Sequence, residues 1–212
     1  MTEGLRERKK RATREAILDA ARRLFVERGF DAVTVAEVAA AADVSEKTVF
    51  NHFATKEDLV TAGGEERRAA LIEAIKARPP GTSVMEPFRA LSLELLDAVA
   101  RGETEELLAV PRMVRESKAL QERLFLGWER EAAELTPVIA EAAGAAEDDI
   151  VPAVVARTLA WTHRTIFRAA MRALMTTDED PKALARRLRK QANRAYDELA
   201  GGLGSYGAQP RP

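Results

Sequence analysis

TVAEVAAAADVSEKTVFNHFATKED, residues 34 to 58, reads as two short helices joined by a tight turn, the second carrying polar side chains suited to the major groove of DNA. Thr34 followed by Glu37 fits the S/T-x-x-E capping box and predicts a helix from Val35. Val35, Val38, Ala39 and Ala42 fall at i, i+3, i+4 and i+7, one narrow stripe of small apolar residues that lets another helix approach closely. Asp43 stands at the turn, where a left-handed backbone is needed and Asp is better tolerated than most non-glycine residues. Val44 anchors the turn, and Ser45 is a good N-cap for the next helix.

That second helix spans Glu46 to Phe53. Val49 and Phe53, four apart, face inward, which leaves Lys47, Thr48, Phe50, Asn51 and His52 on the other sides. Lysine and asparagine donate to guanine and adenine edges, whereas Thr and His more often hold phosphate. Thr55-Lys56-Glu57-Asp58 opens a further helix with a polar cap, and Lys56 adds a cation to a helix N-terminus suited to phosphate. A solvated helical hairpin explains one such pair of helices less well once three capped starts crowd into 25 residues.

Residues 13 to 60, TREAILDAARRLFVERGFDAVTVAEVAAAADVSEKTVFNHFATKEDLV, resemble the N-terminal DNA-binding domain of the TetR family of bacterial transcriptional regulators. The resemblance implies an all-α fold of about nine helices. A three-helix helix-turn-helix unit would be followed by a helical ligand-binding and dimerisation domain. It also implies a DNA-facing set of Arg14, Thr34, Ser45, Lys47, Thr48, Phe50, Asn51, His52 and Lys56. Two departures stand out: Asp43 replaces the usual glycine, and Phe50 replaces a tyrosine whose hydroxyl typically touches phosphate. Phe50 offers only apolar contact, to a sugar or a thymine methyl. Glu46 repels phosphate, so it faces solvent or accepts from a cytosine amine.

Ahead of the motif, Ile17, Ala20, Ala21, Leu24 and Phe25 form a helical stripe that ends at Gly29, a C-cap, with Phe30 and Val33 closing the base of the unit. LRERKKRATR, residues 5 to 14, sets six cations against the single anion Glu7. It reads as part of a flexible basic arm, residues 1–12, reaching phosphate or the minor groove. The formal net charge of −1 excludes a uniformly basic nucleic-acid binder, so the cation excess is local. There is no cysteine, hence no disulfide and no thiolate metal site. No run of 18 apolar residues exists, and the N-terminus lacks an apolar signal core, which points to a soluble cytoplasmic protein.

The remainder shows helical spacing throughout. A long helix leaves the DNA-binding unit from Lys56 to about Ala77, interrupted at Gly63-Gly64, a candidate hinge, and stopped by Pro79-Pro80-Gly81. Further helices are predicted over 84–101, 103–115, 118–143 with a kink at Pro137, 150–176 and 180–202. The domain reading is arm 1–12, DNA-binding domain 13–60, effector and dimerisation domain 61–202, and disordered tail 203–212. Val155, Leu159, Thr162, Ile166, Ala169, Ala170 and Ala173 form one stripe; Leu184, Leu188, Ala192, Ala195 and Leu199 form another. Periodicity leaves open whether these stripes are intramolecular core or dimer seam; the resemblance implies a homodimer through residues 150–202 on a pseudo-palindromic double-stranded operator.

A small-molecule effector, lipophilic in character, is the family's other implication. Candidate lining residues are Phe88, Leu95, Met113, Phe125, Trp128, Trp161, His163 and Phe167, and each also reads as plain core. Buried indole or imidazole groups at Trp128, Trp161 and His163 need polar partners, which a ligand supplies. Three classes of function are weighed. A ligand-released repressor is favoured over an effector-independent DNA-binding dimer. A helical-bundle enzyme is disfavoured, because His52 and His163 are the only histidines and no spacing suits a metal or a nucleophile. No catalytic residue, metal or cofactor is assigned.

Overall fold

The computed structural model describes residues 4–203. Among these the chain is all helical, with α1 (Leu5–Arg28), α2 (Val35–Ala41), α3 (Glu46–His52), α4 (Asp58–Lys76), α5 (Met85–Arg101), α6 (Thr104–Glu116), α7 (Lys118–Ala143), α8 (Val151–Thr176) and α9 (Pro181–Leu203). They divide into two compact units, one formed by residues up to Glu65 with Ala109–Leu124, the other by Glu66–Leu108 with the chain from Phe125 onward. Residues 109–124, which the sequence reading gave to the C-terminal domain, thus pack in the N-terminal unit.

Local chemistry accounts for the N-terminal elements. The Thr34 hydroxyl accepts from the Glu37 backbone N–H at 3.2 Å, and the Glu37 carboxylate accepts from the Thr34 N–H at 2.8 Å, so both halves of the capping box form. Asp43 is the only non-glycine residue with positive φ among the described residues, at 54°. Gly29 ends α1 at φ 82°, with its N–H bonded to the Phe25 carbonyl. Ile17, Ala20, Ala21 and Phe25 of α1 meet Val38, Ala39, Val49, Phe53, Leu59, Met113 and Leu120 in one core. The Phe25 and Phe30 rings pack there at 5.2 Å between centroids.

The expected flexible arm is corrected in its described part. Residues 5–12 are the first turns of α1, because no Gly or Pro interrupts residues 5–28 and Arg, Lys, Glu, Leu and Ala all favour helix. Residues 1–3 of that arm lie outside the described residues, as does the expected tail beyond Leu203. Gly63 and Gly64 do not interrupt α4, and α7 continues as one helix through Pro137. Packing supplies what the local sequence withholds.

In the C-terminal unit, α5 packs along α9 and α8, which also pack against each other. Val155, Leu159, Ile166 and Ala170 of α8 and Leu184, Leu188 and Ala192 of α9 are buried in this single-chain core with Phe88, Leu96 and Val99. The apolar stripes read as a possible dimer seam are therefore mainly internal. They face α5, and hydrophobic burial at about 25 cal/mol per Å² rewards that docking within one chain.

Candidate nucleic-acid interface

The turn and two caps aim α3 outward. Ser45 Oγ accepts from the Thr48 N–H at 3.1 Å and shares a 2.9 Å hydrogen bond with the Thr48 hydroxyl, so this serine starts the helix and orients its first turn. Val49 (1% exposed) and Phe53 (4%) hold the helix to the core. The opposite face carries Glu46, Lys47, Phe50 and Asn51, all exposed, with Phe50 half open to solvent at 50%. An apolar ring flanked by a long cation and an amide on one helix face sets apolar contact and hydrogen-bond donors side by side.

Around this face the other residues expected to face DNA separate into two groups. Arg14 lies 5.1 Å from the Phe53 ring centroid and pairs with Glu65 at 3.5 Å. His52, in the last turn of α3, is partly buried. Burial, then the positive charges of Lys10 and Arg14, push its pKa below the usual imidazole value, so it is neutral near pH 7. Lys10 on α1 was not singled out in the sequence. Its signal was helical spacing, four residues ahead of Arg14, which places both on one side of α1.

Lys56, Thr34 and Ser45 already have work inside the fold. The Lys56 ammonium sits 4.2 Å from the Phe30 centroid and 5.9 Å from that of Phe25, and burial lowers its pKa. Thr34 closes the α2 cap, where its backbone N–H, the Arg28 guanidinium at 2.8 Å and its own hydroxyl hold the Glu37 carboxyl down at about 2.

The candidate ligand residues do not form one set. Met113 belongs to the core of the N-terminal unit, because α6 crosses into that unit after Leu108. Phe125 (57% exposed) and Trp161 (51%) are on the surface. With the partly buried Trp128 they form an aromatic group: Trp128 and Trp161 meet edge-on at 6.0 Å, and Phe125 lies 6.3 Å from Trp128. Arg164 stacks on Trp128 at 4.3 Å and bonds Glu131 at 2.6 Å. Phe88, Leu95 and Phe167 belong to the core of the C-terminal unit, in which His163 bonds Ser92, Ser92 bonds Tyr196, and Tyr196 bonds the Phe88 backbone carbonyl. Sequence reasoning missed the two polar partners there, Ser92 and Tyr196; their signal was a lone hydroxyl at a core position of two apolar stripes.

Known proteins resemble this chain in sequence and in fold. The family model described as bacterial regulatory proteins, tetR family, matches residues 17–62. The HTH-type transcriptional regulator TcmR of Streptomyces glaucescens is 30% identical over 151 residues, covering 69% of this chain and 67% of that protein. A TetR-family regulator from Streptomyces coelicolor A3 superposes with a TM-score of 0.51 at 27% identity, over 86% of this chain and 93% of its own. SmeT, solved in complex with triclosan, superposes with a TM-score of 0.54 at 21% identity, over 95% of this chain and 98% of its own, a likeness of fold.

Proposed function

The chain belongs to the TetR family of bacterial regulatory proteins, and from that premise we propose that it is a homodimeric cytoplasmic repressor, released from a pseudo-palindromic operator by a small lipophilic molecule. The observation that carries the reading is the outward face of α3, with Lys47, Phe50 and Asn51 exposed on a helix whose other side is fixed by Val49 and Phe53. Lys47 takes a guanine edge, Asn51 an adenine edge, and Phe50 a thymine methyl or sugar. Arg14, Thr34, Ser45, Thr48, His52 and Lys56 hold the backbone, Thr34 and Ser45 chiefly by positioning the helices.

Three further observations support the parts of the proposal. Val151, Val154 and Trp161 recur on the outer side of α8, exposed, with Thr165 and Ala169 continuing the row; a second copy covers such a face by a two-fold pairing. Phe88, Leu95 and Phe167 belong to one apolar core, whose character suits a lipophilic guest, and SmeT, alike in fold, holds triclosan. No helix of the described residues is long and apolar enough to cross a membrane, and the relatives named above are regulators rather than enzymes.

Selection of genomic fragments with the purified protein tests the reading. Two half-sites related by symmetry and separated by about one helical turn of DNA are expected. A folded protein that prefers no fragment over random duplex at moderate salt would sink it.

A further inference from the structure

Ser92 on α5, His163 on α8 and Tyr196 on α9 form one hydrogen-bonded chain inside the C-terminal unit. Tyr196 Oη donates to the backbone carbonyl of Phe88 at 3.0 Å. A phenol has a single proton, so at the 2.9 Å contact between Tyr196 and Ser92 the serine is the donor. The reverse assignment leaves two oxygens facing each other with no proton between them. Ser92 Oγ, its own proton committed, then accepts from Nδ1 of His163, also at 2.9 Å. The chain thereby dictates a neutral imidazole with the proton on Nδ1 and an unshared pair on Nε2. Burial, with the positive charges of Arg164 and Arg67, lowers the His163 pKa to about 4 and keeps the ring neutral at working pH.

Nε2 has no donor among the described residues and is not sealed inside protein. An acceptor in such a place is open to a hydrogen bond from water or from a bound hydroxyl. The apolar members of the same core cluster include Phe88, Leu95 and Phe167. The charges around it have one sign in excess. Arg164 is neutralised by Glu131 at 2.6 Å, and Arg68 by Glu134 at 2.5 Å, whereas Arg67 has no such partner among the described residues. That field opposes a cationic guest and favours an oxygen that gains negative charge as its hydroxyl donates.

We infer that Nε2 of His163 is the polar anchor of the effector site and selects an apolar molecule bearing a weakly acidic hydroxyl, a phenol or an enol. The inference rests on the ligand-responsive reading above and deepens it. Ser92 and Tyr196 are positioning residues: they touch no ligand, and they decide which ring nitrogen is the acceptor.

Triclosan, a phenol, and its O-methyl ether are the probes, with binding followed by calorimetry and the imidazole proton placed by nitrogen NMR. The spectrum is simple, because the chain has only two histidines. The native protein is expected to hold His163 as the Nδ1–H form and to bind triclosan at least about ten-fold tighter than the ether, which has no proton to give Nε2. His163→Leu removes that preference, and His163→Gln, which keeps a carbonyl acceptor, restores part of it. In Tyr196→Phe the Ser92 proton turns to Nδ1, the ring proton moves to Nε2, and the preference is lost or inverted; a merely structural tyrosine would weaken both compounds alike. An Nε2–H ring in the native protein, or equal affinity for the two probes, overturns the anchor while leaving a ligand-responsive repressor intact. Failure of triclosan to bind a protein holding the Nδ1–H form overturns the phenol class.

Discussion

Arg123 and Asp58 are joined through one oxygen: Nε and Nη2 of the arginine both donate to Oδ1 of the aspartate, the first at 3.0 Å. The other oxygen of Asp58 accepts the Thr55 backbone N–H at 3.0 Å, and the Thr55 hydroxyl accepts the Asp58 N–H at 3.3 Å. One carboxylate thus caps the start of α4 and holds the start of α7 within the N-terminal unit. Asp58→Ala removes both roles and is expected to cost about 2–3 kcal/mol, against about 1–2 for Arg123→Ala. Urea unfolding of the two variants and the double mutant checks this. Additive effects would show that the pair is not coupled.

The Thr34–Glu37 box makes a pH prediction. Glu37 titrates at about 2 in the folded chain, below its ordinary value of 4.5, mainly because the Thr34 N–H bonds its ionised form. A lowered carboxylate pKa contributes stability in full above about 4.5, and that contribution fades as pH falls toward 2. Thr34→Ala should cost about 1 kcal/mol at neutral pH, and Glu37→Gln should flatten the stability profile below pH 4.5.

His163 works in the same direction for a different reason. Its neutral form is favoured in the fold, with a pKa of about 4 against an ordinary 6.5. Between these values the unfolded chain binds more protons than the folded one, so stability is complete above about 6.5 and declines as pH falls to 4, by on the order of 3 kcal/mol. His163→Gln is expected to remove that slope. Ser92→Ala, which strands the hydroxyl of Tyr196 and Nδ1 of His163, is expected to cost about 1–3 kcal/mol at pH 7.

On the DNA side, Lys47→Ala is expected to relax preference at one position of each half-site by about 1–3 kcal/mol. A uniform loss across all sequences would instead place Lys47 on phosphate. Phe50→Tyr adds a hydroxyl at the exposed edge of α3 and should strengthen every site together, by roughly three- to ten-fold, without changing the consensus.

Val154, 57% exposed on α8, tests the proposed pairing of two copies. Val154→Glu puts a charge where apolar contact is expected and should yield a folded monomer in sedimentation, with much weaker operator binding. A Val154→Glu protein that sediments as a dimer moves the seam elsewhere.

Much of this was legible from residues 13 to 60. Capping boxes, the left-handed turn at Asp43 and the inward pair Val49 and Phe53 depend on neighbours within a few positions, so spacing alone predicted them. The basic segment before Thr13 misled, because high charge suggested an arm while helix propensity ran unbroken from Leu5. Gly63-Gly64 misled for the converse reason: α4 runs unbroken through both, because a propensity cost of about 1 kcal/mol per glycine does not by itself end a helix anchored on either side by Leu59 and Ala62 and by Leu71 and Ile75.

The sequence by itself determined most of the helices, the caps of α2 and α3 and the outward face of α3, since each is set by hydrogen bonds and periodicities no longer than a few turns. Only the tertiary structure decided which apolar stripe is buried against which, that Met113 lies apart from Phe88 and Phe167, and that Ser92, His163 and Tyr196 meet. Those three residues lie 104 positions apart at the extremes. A period of 3.6 residues tells which side of a helix is apolar and carries no information about the partner it faces, and so the proton on one imidazole is set by packing alone.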